Sequence, residues 1–347
     1  KKKFEKTKVR VLDTGIDHGS VTLLFENAKF ELTTLRKDIK TDGRHSEVSF
    51  SDNWEEDSER RDFTINAIYM DKNGKIFDPQ SGLYDLNNSK VKFIGDPSKR
   101  IEEDYLRILR FIRFSLQYNS QIDQSTLNTI KLNLAGIQKL SKERILDELF
   151  KILSLSNFDN ITNKKELKEI FSLVFPELVN VDRMKKLNQC NKIFNIDKNI
   201  ILAAILLDKS NNHEYFCHKY KTSNFLKEEL KLLAQLLLKY DGRISYLKKH
   251  LIKEIYTYDK LIIKKVAILI FIINKKMSLS ETIKILDNID KAIIPEFPYN
   301  GKYLMKRGIS EGKKIGIILK EIQREWIKKS FFVSENQVTE IIQKNLD

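Results

Sequence analysis

The chain has 347 residues, of which 41% are hydrophobic, so it is long and apolar enough for two or three domains with buried cores. Its two cysteines, Cys190 and Cys217, are too few for a disulfide framework, and no apolar signal run follows Lys1. The longest apolar run, Val266 to Ile273, is far shorter than the roughly 20 residues that a membrane helix requires. Composition therefore argues against a disulfide-rich secreted scaffold and a membrane-spanning protein, and we expect a cytoplasmic globular protein.

The positive charge is concentrated in the second part of the chain. The net charge is +14, from 62 Lys and Arg against 48 Asp and Glu. Residues 1–150 carry 26 basic and 25 acidic residues, whereas residues 151–347 carry 36 and 23, so the second part holds +13 of the total. This asymmetry favours a nearly neutral site joined to a region that contacts phosphate backbone. A solvated, lysine-rich surface is the alternative interpretation.

The first predicted elements are two strands, residues 20–25 and 30–35, joined by a turn at Glu26-Asn27. Glu31 stands in the second strand between two apolar residues, where β propensity disfavours a carboxylate. It is a candidate metal-binding carboxylate; the alternative is that it faces water on an exposed face of the sheet. Residues 37–45 are predicted to form a loop.

A second hairpin is predicted from Thr64 to Met70 and from Lys75 to Phe77, because Asn73-Gly74 is a typical two-residue turn. The triplet Arg60-Arg61-Asp62 stands where the chain enters the first of these strands. Arginine suits phosphate through its planar fork of donors, so the triplet is a candidate site for phosphate or ribose. A salt-bridged strand end is the alternative. Strand patterns end near Phe93.

Helical periodicity begins after Asp96-Pro97 and continues almost to Asp347. A helix starting near Ile101 has a core stripe at i, i+3, i+4 and i+7, formed by Tyr105, Ile108, Leu109 and Ile112. Asp104 and Arg107 lie off that stripe, about 60° apart on the helical wheel. They can present an acceptor and a two-pronged donor to one planar ligand, although a surface ion pair is the alternative.

Near the end of the chain, Ser310 is predicted to cap a helix that begins near Glu311. Helix N-terminal amides together with Lys313 and Lys314 would make a seat for an RNA phosphate. A capped helix without RNA is the alternative.

Five ordered segments of the sequence resemble the class II nucleotidyltransferase family of tRNA CCA-adding enzymes and bacterial poly(A) polymerases. They are residues 14–19, 30–36, 60–67, 103–107 and 141–144. The resemblance implies an α+β fold in which a partial polymerase-beta-like palm sheet is followed by an all-α neck, body and tail. We therefore expect a palm or head at residues 1–95, a neck that recognises the nucleotide base at 96–150, and a tRNA-binding body and tail at 151–347.

The resemblance also implies roles for single residues. Arg60 and Arg61 belong to the nucleotide site, where Arg61 contacts the triphosphate. Asp62 and Asn66 shape the ribose pocket. The Glu-Asp-x-x-Arg segment selects CTP or ATP through Asp104 and Arg107, and two further arginines of that helix, Arg110 and Arg113, line the site. Residues 37–45 correspond to a loop that the family uses when it changes from C to A addition.

The family holds two Mg²⁺ ions with an Asp-x-Asp pair that follows a Gly-Gly turn, and Glu31 is our candidate for a further catalytic, metal-binding carboxylate. The 347 residues contain neither Gly-Gly nor Asp-x-Asp. We therefore expect that this chain lacks the first strands of its palm, and with them its activity. The expected function is addition of 3′-terminal CCA, or part of it, to tRNA from CTP and ATP. A poly(A) polymerase and an inactive RNA-binding paralogue are the alternatives.

Overall fold

The computed structural model describes residues 4, 7–16, 19–41, 46–191, 194, 196–274, 276–310 and 312–345. The chain forms two compact units, Lys1–Glu228 and Glu229–Asp347. Among the described residues, all strands belong to the first unit, and the second unit is helical. The predicted α+β fold class, small sheets followed by a helical body, is confirmed. The predicted domain limits at residues 95 and 150 stay predictions.

The strands form three small antiparallel sheets. Within the described residues they are β1 (Arg10–Gly15), β2 (Ser20–Leu24), β3 (Lys29–Thr33), β4 (Arg36–Thr41), β5 (Ser46–Phe50), β6 (Tyr69–Met70) and β7 (Ile76–Phe77). The first three strands pair in the order β1-β2-β3, β4 pairs with β5, and β6 pairs with β7. The first predicted hairpin is confirmed as β2 and β3, with Thr22 opposite Glu31.

Two predictions for this region were wrong. Residues 37–41 belong to β4 and not to a loop, while residues 42–45 of the predicted loop lie outside the described part of the chain. The second predicted hairpin is present as β6 and β7, but its first strand, predicted from Thr64 to Met70, has only the two residues of β6, because Thr64–Asn66 form a 3-10 turn. The hydroxyl of Thr64 donates to the buried carboxylate of Asp85 at 2.7 Å, and local side-chain bonds of this kind compete with strand pairing.

The helices are numbered through both units. The first unit contains α1 (Trp54–Glu59), α2 (Gly82–Asn87), α3 (Pro97–Glu103), α4 (Leu106–Gln117), α5 (Gln124–Asn133), α6 (Lys142–Leu153), α7 (Lys165–Val174), α8 (Met184–Asn191), α9 (Lys198–Leu206) and α10 (Asn212–Tyr220). Next, α11 (Asn224–Tyr240) crosses the division between the units. The second unit continues with α12 (Ile244–Tyr258), α13 (Lys260–Ile273), α14 (Leu279–Lys291), α15 (Gly301–Met305), α16 (Lys313–Lys328) and α17 (Glu335–Lys344). None of the helices that the structure describes has the length and apolar character needed to span a bilayer.

The helices that follow the sheets begin at polar caps and pack through apolar stripes. Asp96 precedes α3 and Ser141 precedes α6, and each side chain accepts a backbone N–H of the first turn, which would otherwise have no partner. Three residues of the predicted core stripe, Ile108, Leu109 and Ile112, lie in α4 and are fully buried, whereas the fourth, Tyr105, is the N-cap of the helix and is half-buried. Helix α4 packs against α6.

The chain is not helical at the junction of α3 and α4. Sequence periodicity predicted one continuous helix here, but Asp104 is extended, with φ −155° and ψ 104°. Its Oδ1 accepts the backbone N–H of Leu106 at 3.1 Å, and so its side chain holds the first turn of α4. Asp104 and Arg107 are therefore presented by a helix junction and not by neighbouring positions of one helix.

The second unit has its own apolar core. Its buried residues include Leu304, Ile318, Ile322, Trp326 and Val338. The predicted cap at Ser310 was wrong, because α16 begins at Lys313 and its N-cap is Gly312. The φ of Gly312 is 142°, a conformation that glycine adopts more easily than any other residue.

Candidate active site

An open cleft of about 520 Å³ lies in the first unit. Six of its eleven lining residues are arginines, and two are aspartates. The lining residues are Arg36, Arg60, Arg61, Asp62, Asn66, Asp104, Leu106, Arg107, Arg110, Phe114 and Arg144. The cleft thus has the positive charge and the guanidinium forks that bind phosphate groups.

One wall of the cleft is built on the carboxylate of Asp57, which is completely buried at the C-terminal half of α1. Arg60 donates from Nε and Nη2 to its Oδ1 at 2.8 and 2.6 Å. Arg61 donates from Nε and Nη2 to its Oδ2 at 3.1 and 2.8 Å, and the hydroxyl of Tyr69 donates to the same oxygen at 2.8 Å. One carboxylate therefore holds two neighbouring cleft arginines.

These contacts change the pKa values of Asp57 and Tyr69. Burial disfavours the Asp57 carboxylate, but hydrogen bonds from Arg61, Tyr69 and Arg60 outweigh burial and lower the pKa of Asp57 from 3.8 to about 2. Burial, together with the hydrogen bond to Asp57, raises the pKa of Tyr69 from 10.0 to about 12. Asp57 is therefore ionised and Tyr69 is protonated at neutral pH.

The floor of the cleft is organised by Asp62. Its Oδ1 accepts the Phe63 backbone N–H at 3.0 Å and the Asn66 side-chain amide at 2.9 Å, and its Oδ2 accepts Nε of Arg110 at 2.5 Å. Burial opposes ionisation, but the charge and hydrogen bond of Arg110 lower the pKa of Asp62 below its ordinary value. The guanidinium of Arg110 also lies 5.3 Å from the centre of the Phe114 ring.

The candidate base-reading residues, Asp104 and Arg107, also line the cleft. Asp104 accepts Nη2 of Arg144 at 2.7 Å. Arg107 donates from Nη1 to Glu103 at 2.6 Å and to the backbone carbonyl of Arg100 at 2.8 Å. Both side chains line the cleft, and each is held in place by a charged neighbour.

The structure brings seven of the predicted nucleotide-site residues together in this cleft. They are Arg60, Arg61, Asp62, Asn66, Asp104, Arg107 and Arg110. Arg113 is not among the lining residues, because its guanidinium pairs with the buried Glu148 and lies 4.0 Å from the centre of the Phe114 ring. Lys313 and Lys314 belong to the second unit, in the first turn of α16.

The described residues do not provide a pair of Mg²⁺ sites. Glu31 lies in β3, whose five residues are all exposed; its side chain is 76% exposed, and its Oε1 lies 3.7 Å from Nζ of Lys29. Both oxygens of Asp62 are already bound by protein donors. Within the part of the chain that the structure describes, no group of three His, Cys, Asp or Glu side chains could hold a metal ion. Mg²⁺ therefore stays a prediction.

Sequence reasoning did not assign a role to several residues that build the site. Arg36 and Arg144 line the cleft, and both stand in segments that carry the family resemblance. Asp57 and Tyr69 hold the arginine wall from beneath. The signal for Asp57 was its spacing of three and four residues from Arg60 and Arg61, which places all three on one side of a helical turn.

Comparisons with known proteins agree with this fold. The family model described as "Poly A polymerase head domain" matches residues 1–92, and "Probable RNA and SrmB- binding site of polymerase A" matches residues 120–181. The Bacillus stearothermophilus CCA-adding enzyme in complex with CTP has a similar structure, with a TM-score of 0.71 and 21% identity over 97% of this chain and 84% of that one. The Thermotoga maritima CCA-adding enzyme complexed with tRNA has a TM-score of 0.56 and 20% identity over 100% and 83%.

The fold and the cleft define a class II nucleotidyltransferase. The sequence is 32% identical to CCA tRNA nucleotidyltransferase 1, mitochondrial, of Homo sapiens, over 99% of this chain and 79% of the relative. It is 30% identical to the CCA-adding enzyme of Streptococcus uberis, over 97% and 84%. The chain belongs to the family of CCA-adding tRNA nucleotidyltransferases.

Proposed function

We propose that the chain is a tRNA nucleotidyltransferase that adds 3′-terminal CCA, or part of it, from CTP and ATP. One observation carries the proposal: a single cleft joins the arginines that suit a triphosphate, Arg60 and Arg61, to the pair that suits a base, Asp104 and Arg107. In this reaction the 3′-hydroxyl of the RNA loses its proton to water and its oxygen bonds to the α-phosphorus, the bond from that phosphorus to the bridging oxygen breaks, and pyrophosphate leaves.

The arginine wall supplies the grip on the triphosphate. A nucleoside triphosphate carries several negative charges, and planar guanidinium groups meet phosphate oxygens with two parallel donors. Arg60 and Arg61 stand side by side on Asp57, and Arg36 lines the cleft with them. Asn66 and Arg110 are tied to Asp62 beneath the cleft, so that Asp62 shapes the ribose pocket by positioning its neighbours.

Asp104 and Arg107 supply the selection of the base. Cytosine and adenine each present an amino donor beside a ring-nitrogen acceptor, whereas uracil and guanine present a carbonyl acceptor beside an N–H donor. A carboxylate at Asp104 next to a guanidinium at Arg107 matches the first pattern and opposes the second. This complementarity supports CTP and ATP as the substrates.

The partner of the second part of the chain is proposed to be tRNA. Residues 151–347 hold +13 of the net charge, and Lys313 and Lys314 stand exposed in the first turn of α16. In support, the Thermotoga maritima enzyme of similar fold was solved with tRNA. We retain the cytoplasm as the proposed compartment; the streptococcal relatives are bacterial, whereas the vertebrate relatives are named mitochondrial.

Nucleotide binding by the full chain tests the proposal. Binding is measured in preference to nucleotide incorporation into tRNA, because the sequence lacks the Asp-x-Asp pair that incorporation requires in the family. CTP, ATP, UTP and GTP are titrated separately in a buffer with Mg²⁺. We expect CTP and ATP to bind about tenfold more tightly than UTP and GTP, or better. Selection of ATP alone would support the poly(A) polymerase alternative, and equal binding of all four nucleotides would overturn the proposed base selection.

A further inference from the structure

Asp57 does not line the cleft itself, but it accepts hydrogen bonds from arginines that do. Its two oxygens accept six hydrogen bonds, of which five come from Arg60, Arg61 and Tyr69. The sixth comes from the backbone N–H of Arg36, at 3.2 Å. All three arginines line the cleft, so one buried group is connected to each arginine of this wall.

The contacts with Asp57 use the same two nitrogens of each guanidinium. Arg60 and Arg61 both grip Asp57 with Nε and Nη2. In the described part of the chain, no hydrogen bond engages Nη1 of either residue. Asp57 thus fixes Nε and Nη2 of each guanidinium and leaves Nη1 for a ligand. Its negative charge also offsets the repulsion between the two guanidinium cations.

We propose that Asp57 is a positioning residue for the triphosphate: it holds Arg60 and Arg61, and through its backbone Arg36, in the arrangement that receives the phosphate groups. This inference rests on the proposed function, because it names the residue that organises the phosphate side of that site. Tyr69 supports the same carboxylate through its hydroxyl, and its ring packs against Trp54 with centroids 5.1 Å apart.

Replacement of Asp57 distinguishes this role from a purely electrostatic one. Asp57→Asn keeps the shape of the side chain but removes its negative charge, so the cleft becomes more positive by one unit. If the cleft acted only as a positive field, the variant would bind a triphosphate more tightly. If Asp57 positions the arginines, the variant binds it more weakly, because displaced forks lose their alignment with the phosphate oxygens.

The experiment measures the affinities of CTP and CMP for the full chain. CMP keeps the base, the ribose and one phosphate, so it reports the rest of the site. We expect Asp57→Asn to weaken CTP about tenfold and CMP no more than about twofold. Glu254→Gln is the matched control, since Glu254 is also buried and also holds a cation, Lys239, and a tyrosine hydroxyl, Tyr240, but does not touch the cleft. The control should leave the ratio of the two affinities unchanged.

Tyr69→Phe is the second variant, because it removes one hydrogen bond to Asp57 and keeps the ring. We expect it to weaken CTP about two- to fivefold with CMP unchanged, and it decides the matter alone should Asp57→Asn fail to fold. Tighter CTP binding, an unchanged ratio of CTP to CMP affinity, or an equal loss for both ligands overturns the inference. Failure of the parent chain to bind CTP would instead overturn the proposed function.

Discussion

Each carboxylate that lines the cleft is bound by an arginine from a distant segment of the chain. Asp62 is joined to Arg110, and Asp104 is joined to Arg144. These pairs fix the polar walls before a ligand binds, which lowers the cost of ordering them on binding. Arg107 is held by a local carboxylate, Glu103, but the described hydrogen bonds use only its Nη1, and a guanidinium has five N–H donors.

Arg107→Ala should reduce selection among the four nucleoside triphosphates. Its remaining donors are proposed to read base acceptors, and removal of such a buried polar interaction should cost about 1–3 kcal/mol of discrimination. Titration of the variant with CTP, ATP, UTP and GTP measures this effect. Lys99→Ala is the control, because it removes an exposed cation from the preceding helix, outside the cleft lining. An unchanged preference for CTP and ATP in Arg107→Ala would refute the assignment.

The lowered pKa of Asp57 predicts a pH-dependent contribution to stability. A carboxylate with a depressed pKa stabilises the fold fully above its unfolded-state value, here 3.8, and this contribution is lost as the pH falls through about 2. The contribution is on the order of 1–2 kcal/mol after allowance for solvent screening. Urea unfolding of the parent and of Asp57→Asn should therefore differ by a constant amount from pH 7 to about pH 5 and converge as the pH falls toward 2. A difference that persists undiminished at pH 2 would contradict the assigned cause.

For single residues, the sequence predicts which side chains belong to the site better than it predicts their hydrogen-bond partners. Family-like segments indicated Arg60, Arg61 and Asp104 as site residues, and the structure places all three on the cleft. Asp57 has helical spacing to the first two, but α1 has only six residues and no apolar stripe, so periodicity does not predict that helix. A buried carboxylate whose partners are all polar, and of which two are distant in sequence, leaves little pattern in a sequence.

Among the elements, the 3-10 turn Thr64–Asn66 sets the floor of the cleft. This turn carries Asn66, and α2 begins directly against it, at Gly82. A Cβ atom at Gly82 would lie 2.1 Å from the carbonyl oxygen of Thr64 and 2.7 Å from its carbonyl carbon, both backbone atoms. Only a residue without a side chain allows α2 to approach the turn so closely.

Gly82→Ala should therefore destabilise the first unit by about 1–3 kcal/mol and weaken CTP binding, because the turn that holds Asn66 must move. Gly316→Ala is the matched control. Gly316 lies in α16, and a Cβ atom added to it would meet no atom within 4 Å, so alanine should stabilise that helix by up to about 1 kcal/mol. Urea unfolding and CTP titration measure both variants. If Gly82→Ala unfolds at the same urea concentration as the parent, the turn Thr64–Asn66 can shift to accommodate the added Cβ atom without loss of stability.

Sequence patterns predicted the elements with regular alternation or periodicity and missed the polar ones. The apolar alternation of β2 and β3 and the stripe of α4 were sufficient for prediction. β4, with the sequence Arg-Lys-Asp-Ile-Lys-Thr, has no such alternation, so its pairing with β5 was not predicted. The break at Asp104 was missed because the apolar stripe continues across it in sequence, while a single side-chain bond to Leu106 sets the start of α4.

For the whole molecule, the distribution of charge separates nucleotide chemistry from RNA binding. The positive charge of the cleft is local, since residues 1–150 are nearly neutral with 26 basic and 25 acidic residues. Residues 151–347 carry an excess of 13 positive charges, spread over helices of both units. Long-range attraction of a polyanion should therefore arise from the second part of the chain, and binding of a single nucleotide should depend far less on it.

The affinity for tRNA should fall linearly with salt on logarithmic axes, steeply enough to indicate several released counterions. Charge reversal at Lys313 and Lys314 should weaken the binding of different tRNAs to a similar extent and make the slope shallower by about one for each phosphate that these lysines neutralise in the parent. The control is charge reversal at Lys328 and Lys329, which makes the same change in net charge at the other end of α16. It should alter the slope less if the first turn of the helix binds the phosphate. Titrations of labelled tRNA across a range of salt concentrations compare the two double variants with the parent. Equal slopes and affinities for both variants would show that the first turn of α16 is a solvated helix end and not a phosphate-binding site.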